Sequence, residues 1–174
     1  IRSKEGKGNY CLYHGNLAVA ENKKAAMWLI EEVFPGLTDT PLVIAGKKPS
    51  PSLVKAIQAH RNIQLVENPS MEAMENLITE AHVHLLPSFT DSGIKLKLLH
   101  ALFCGRFCIG NPAMIKCTGL ENICIVADTA AGFIQAIQQC LKERFSALHI
   151  KERERVLLEF ANNKKNVSAL IRVL

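Results

Sequence analysis

Short apolar or β-branched runs alternate along this chain with longer stretches whose apolar residues recur at helical spacing. Residues 10–14, 42–45, 63–66, 83–86, 107–109 and 123–126 are expected as strands, and residues 22–34, 50–59, 71–81, 93–104 and 129–142 as helices. In 22–34, Ala25, Ala26, Leu29, Ile30 and Val33 form one apolar stripe; Asn22 suits the N-cap and Pro35-Gly36 the stop. Ser50 and Pro51 suit the N-cap and first position of the next helix, and Gly105 closes the fourth. Strands that are apolar on both faces and separated by helices predict a Rossmann-like three-layer α/β/α domain with a parallel sheet of about six strands. The expected organisation is linker over residues 1–9, the α/β domain over 10–145 and a charged helical tail over 146–174, the chain being a fragment of a longer protein. Within the tail, Lys151-Glu152-Arg153-Glu154-Arg155 reads as a solvated helix face.

Composition narrows the class. With 48% hydrophobic and 21% charged residues the chain is of ordinary globular type, and no apolar stretch approaches the roughly 20 residues that cross a bilayer. The net charge of +5 is dispersed, and the aromatics, 6% of residues, do not interleave with it, so no nucleic-acid partner is expected. Six cysteines show no Cys-x-x-Cys pair and sit mostly in apolar runs, which predicts buried free thiols rather than a metal site. A metal reading would have to join His100, Cys104 and Cys108, and that spacing matches no usual zinc pattern. His82 and His84 alternate, so both should share a strand face and pack with one hydrogen bond each, whereas His60 and His149 read as surface residues. Neither a Gly-x-Gly-x-x-Gly, a Gly-x-x-x-x-Gly-Lys-Ser/Thr nor a Gly-x-Ser-x-Gly motif is present, which argues against dinucleotide, P-loop and hydrolase chemistry.

In a parallel sheet ligands bind beyond the carboxyl ends of the strands, here the loops 14–22, 46–50, 67–70, 87–93 and 110–118. The most informative segment runs from Pro87 to Gly105: a polar loop enters a helix through Ser92-Gly93, with Lys95 and Lys97 near its start. The positive end of a helix dipole disfavours cations by about 0.3–1 kcal/mol each. An anion held by the free N–H groups of Ser92, Gly93 and Ile94 would reverse that and recruit Lys97 as a clamp. The plainer alternative is that both lysines reach out to solvent. Gly93, Lys97, His100 and Cys104 share one helix face. Gly15, in Tyr13-His14-Gly15-Asn16-Leu17, allows close backbone approach or a simple turn, and Lys47 and Lys48 after Gly46 could meet a diphosphate or water.

These elements and motifs together resemble the C-terminal half of GT-B glycosyltransferases of group 1, family 4-like, over about residues 10–139. Tyr13–Leu17 followed by Glu21-Asn22 is similar to the family's opening strand and loop, and Ile44–Pro51 to its second strand and exit. Asp91–Gly105 is similar to the donor-binding stretch, which typically reads Gly-x-Gly-(Ile/Thr)-(Arg/Lys)-Leu-Lys-(Ile/Leu)-Leu-Glu-Ala-x-x-x-Gly. The resemblance implies a nucleotide-diphospho-sugar substrate such as a UDP- or GDP-sugar, and no cofactor or metal. It places Ser92, Gly93, Ile94 and Lys97 on the diphosphate, with Gly15, Asn16 and Lys47 alongside, His100 on the ribose, and Glu67 and Asn68 where the base is held. The catalytic residues are not read from this stretch, beyond Lys97 as a diphosphate stabiliser. Ser92 and His100 stand where many members carry glutamates, and Asn16 where many carry Arg. The implied activity is retaining hexosyl transfer to a sugar or lipid-linked acceptor, as in polysaccharide biosynthesis. The implied setting is cytoplasmic, with a separate N-terminal domain as partner and with peripheral membrane contact where the acceptor is lipid-linked. A nucleotide-sugar epimerase and a degenerate, non-catalytic binding module stay open beside it.

Overall fold

The computed structural model describes residues 1–90 and 96–162, apart from the side chain of Asn162. Six strands, β1 (Cys11–Asn16), β2 (Leu42–Lys47), β3 (Ile63–Glu67), β4 (Val83–Leu86), β5 (Phe107–Gly110) and β6 (Ile125–Val126), form one all-parallel sheet in the order β3-β2-β1-β4-β5-β6. The helices are α1 (Ala20–Trp28), α2 (Pro51–Gln58), α3 (Met71–Glu80), α4 (Leu96–Cys104), α5 (Pro112–Ile115), α6 (Ala130–Lys142) and α7 (Ala147–Asn162). One face of the sheet packs on α1, α2 and α6 through Tyr13, Ile44, Val83, Leu85, Ile109, Leu53, Phe133 and Ile137. The other face is covered in two patches, Leu12, Val43 and Ala45 beneath α3, and Leu86 and Cys108 beneath α4, α5 and α7. This is the expected three-layer architecture, and the alternation of buried residues along β1 places Tyr13 and His14 on opposite faces.

Local sequence explains most boundaries. Ser50, Ser70 and Thr129 cap α2, α3 and α6, each accepting from a backbone N–H in the first turn, and Pro51 takes the first position of α2. Ala25, Ala26, Leu29, Ile30 and Val33 are all buried, as their spacing predicts. Asn22, however, does not cap α1. The helix begins at Ala20 with Val19 at the cap position, and it widens into a π turn over Leu29–Val33 before a 3-10 turn over Phe34–Gly36. Strand β6 is shorter than expected because Glu121–Ile123 forms a 3-10 turn, and the 110–118 loop contains the short α5.

Tertiary contacts overturn several local expectations. Arg153, read as part of a solvated face, is buried, with its guanidinium donating to the carbonyls of Leu102, Gly105 and Arg106. Arg106 does the same for Thr79 and Ala81. A buried arginine thus closes the carboxyl end of α3 and another that of α4, where the macrodipole favours a cation. His82 precedes β4 and makes two hydrogen bonds, accepting from Gly8 N and bonding the Cys140 carbonyl. His84 is fully buried yet among the described residues neither ring nitrogen has a hydrogen-bond partner, so the expected single bond for each is not observed. His149 is no isolated surface residue: it stacks on Phe145, bonds Ser146 and lies 3.3 Å from Glu143. Residues 1–9, read as linker, run along the body, with Arg2 N donating to Phe103, Gly6 bridging to Phe145 and Lys7 reaching the end of α6.

Candidate functional site

Strand order reverses direction between β1 and β4, so α1 and α4 diverge from adjacent strand ends and leave a crevice. The exit of β1 is built by a pair of asparagines. Asn16 Oδ1 accepts from Ala18 N, and Asn22 Nδ2 donates to the Asn16 carbonyl. The exit of β4 is clamped from both sides. Asn111 brackets Ser88 through a pair of backbone bonds, while the Ser88 and Thr90 hydroxyls donate to Glu21 Oε1 at 2.8 and 2.7 Å. The expected anion-binding residues Ser92, Gly93 and Ile94 follow immediately in the chain and lie outside the described residues, as do Asp91 and Lys95.

Lys97 does not reach out to bulk water. Its ammonium donates to Asn22 Oδ1 at 2.8 Å, lies 3.5 Å from the Tyr13 hydroxyl and sits 4.8 Å above the Tyr13 ring. Among the described residues no carboxylate is within ion-pair distance of it. Burial therefore pulls its pKa down to about 8, with the more distant charge of Glu21 opposing the shift. Gly15 makes this position available: a Cβ there would come within 3.1 Å of Lys97 Nζ and 3.3 Å of the Asn22 amide. Gly15 pairs in register with Gly46, where a Cβ would strike the Gly15 carbonyl, so the adjoining ends of β1 and β2 are bare backbone.

Beyond those glycines, on the face of the sheet covered by α3 and α4, opens a cleft of about 570 Å³. Gly15, Asn16, Lys47 and His100, all expected in the site, line it. Lys97, Glu67 and Asn68 do not. Asn68, in the left-handed region with φ 49°, accepts from Lys48 N through its side-chain Oδ1, and the wall passes instead to Pro69, Ser70 and Met71, one to four residues further on. Met74, Glu75 and Leu96 complete it. The sequence reading missed Met71, Met74 and Glu75 because α3 reads as an ordinary amphipathic helix. The signal that was available is Met71, an exposed large apolar residue at a helix start.

Behind the cleft wall three histidines converge. The rings of His14 and His100 meet edge to face at 6.3 Å, and His14 Nε2 is buried without a partner. Burial first, and then the neighbouring charges of His84, Lys97 and His100, hold His14 well below the usual histidine range. Burial likewise takes His84 down to about 3 and lowers His100, although the charge of Glu75 opposes the shift at His100. These imidazoles are therefore neutral at pH 7 and offer single donors or acceptors rather than charge. Among the described residues no group of three or more His, Cys, Asp or Glu side chains is gathered to hold a metal. Cys108 is buried, bonding the Arg106 carbonyl. A second, smaller cavity of about 290 Å³ lies between β5, β6, α6 and α7 at the opposite end of the sheet, but the Arg153 guanidinium on its wall is already committed to backbone carbonyls. Among the described residues no helix is long and apolar enough to cross a membrane.

The family model described as glycosyl transferases group 1 matches residues 8–143. No curated protein matches in sequence. The fold is similar to a glycosyltransferase from Rickettsia africae ESF-5, with a TM-score of 0.69 at 15% identity over 95% of this chain and 48% of that one. It is also similar to TarM, with a TM-score of 0.66 at 10% identity over 99% and 36%. A third similar structure is a UDP-forming α,α-trehalose-phosphate synthase from Burkholderia xenovorans, with a TM-score of 0.64 at 9% identity over 94% and 42%. The chain thus spans between about a third and a half of the length of these structures. A match over most of the sequence and a six-stranded parallel sheet with its crevice at the β1/β4 switch agree: the chain belongs to the group 1 glycosyltransferases of GT-B fold.

Proposed function

We propose that this chain binds the diphosphate and nucleoside of a sugar donor, as the donor half of an enzyme that passes the sugar to a sugar or lipid-linked acceptor with retention. A half-buried lysine held over a glycine at the switch point by neutral oxygens carries this reading. An ammonium drawn out of water without a counter-ion is costly, and a diphosphate supplies the missing charge. When the sugar–phosphate bond breaks, negative charge grows on the leaving diphosphate. Lys97, together with the amides of Ser92, Gly93 and Ile94 that the sequence assigns to the phosphates, would stabilise that charge in the absence of a metal ion. The similar trehalose-phosphate synthase is UDP-forming by name, which makes a uridine diphosphate the first donor to try. Under this reading a second α/β domain of the same protein holds the acceptor. The enzyme works in the cytoplasm, at the inner membrane face where its acceptor is lipid-linked.

Titration calorimetry of the chain with UDP, GDP and ADP tests the proposal. Heat from at least one of them, abolished or much reduced in Lys97→Met, is the expected result. Absence of heat from all three at millimolar ligand would overturn it. One observation favours a different reading, a GT-B module that binds without catalysing: Asn16, at a position where many relatives carry a cationic clamp, is neutral and gives its side-chain oxygen to the local turn. Under that reading Lys97→Ala in the full-length protein leaves its biological activity untouched.

A further inference from the structure

The cleft lining is not uniform. It includes Gly15, beside which, outside the lining, stands the Lys97 ammonium. Where α3 and α4 meet, its wall carries Glu75, from the second turn of α3, and His100. A carboxylate repels phosphate, so that stretch of wall is no part of a phosphate cradle. What it suits is a neutral, hydroxyl-rich group.

The polar side chains on the described walls differ in what they accept. Lys47 has no acceptor; Asn16 and Ser70 offer one oxygen each, and that of Asn16 is engaged by Ala18 N. His100, flanked by His14 and lying beyond any hydrogen bond to it, offers one ring nitrogen. A vicinal diol donates two hydrogen bonds side by side and is best met by a group with two oxygens, strongest when that group is ionised. Glu75 supplies such a pair. Its contact with Arg2 is 3.8 Å long and solvent-exposed on both sides, and so leaves the carboxylate free to take other donors. Glu75 and His100 line the same cleft from α3 and α4, and the Glu75 charge acts on His100.

Resting on the donor-site reading above, we infer that Glu75 of α3, with His100 of α4 beside it, holds the ribose diol of the nucleotide, so that the ribose carboxylate comes from α3 and not from α4. Glu75 is a binding residue that selects a ribonucleotide over a deoxyribonucleotide.

The experiment takes whichever of UDP, GDP and ADP binds the wild-type chain tightest, its 2′-deoxy counterpart and inorganic pyrophosphate. Affinities are measured for wild type, Glu75→Ala and Glu75→Gln. Wild type should favour the ribonucleotide by about tenfold or more, the worth of a charge-assisted hydrogen bond. Glu75→Ala should bring the two nucleotides to equal affinity while pyrophosphate binding stays unchanged, and Glu75→Gln should restore part of the preference. A merely structural role for Glu75 would weaken all three ligands together and overturn the inference. A ribose preference that survives Glu75→Ala, or binding of pyrophosphate with no gain from the nucleoside, would overturn it while leaving the diphosphate site standing. If wild type binds none of the ligands, the donor reading itself fails.

Discussion

Under the proposed function, Lys97 is the residue on which donor binding turns. Charge-assisted hydrogen bonds contribute about 1.5–3 kcal/mol each, so Lys97→Met should weaken nucleoside diphosphate binding by roughly 10- to 150-fold. Circular dichroism should show the fold intact. Its free pKa near 8 makes binding pH-dependent. A bound diphosphate raises that pKa, so above about pH 8 binding takes up a proton and weakens as the pH rises, by up to about tenfold per unit; calorimetry between pH 7 and 9.5 would show the decline in wild type and its absence in Lys97→Arg. Gly15→Ala should mimic the loss of the lysine, because the new methyl group meets Nζ at 3.1 Å. The buried histidines act on stability instead. His14, His82 and His84 have lowered folded values, so below the unfolded value of about 6.5 the unfolded chain binds more protons. Their contribution is fully present above about pH 6.5 and is lost as the pH falls, by about 1.4 kcal/mol per unit for each histidine that stays neutral. His84→Leu should flatten that slope in urea titrations at pH 7.5 and 5.5. It should also raise stability at both, since it removes two buried nitrogens without partners.

At the scale of elements, the two helices that wall the cleft are held at the ends farthest from it. Arg106 ties the end of α3, and Arg153, carried on α7, ties the end of α4 and the start of β5. Each guanidinium satisfies carbonyls that a helix end leaves open. Arg153→Met would strand at least three of them in a buried setting, at a cost of about 2–4 kcal/mol. A lowered urea midpoint with an unchanged m-value is the expected result. Helix α7 is therefore part of the frame that positions α4, and hence Lys97 and His100. Its charge pattern alone suggests a solvated face, because a period-3.6 reading shows which residues share a face but not what that face meets. Ser50 was legible as a cap for the opposite reason: a cap bonds within its own first turn.

For the whole molecule, the group 1 match and the GT-B fold give the family, and the proposed function puts donor binding at the crevice of the β1/β4 switch. Under the proposed function, Lys97→Ala in the full-length protein should lower kcat/KM by about 10²–10³-fold, the range seen when one preorganised donor to a developing anion is removed. Steady-state rates with the donor would report it. A module that only binds would show no such loss.

Strand and helix alternation, the parallel sheet and the Ser50 cap are written in the sequence itself, because periodicity and capping are matters of near neighbours along the chain. Tertiary structure alone decided where Lys97 points, since its partner Asn22 is 75 residues away and meets it only because β1 lies beside β4. It alone set Met71, Met74 and Glu75 opposite His100, buried Arg153, and left His84 without a hydrogen bond. Those outcomes depend on which elements become neighbours and at what register, and no local pattern of residues encodes that.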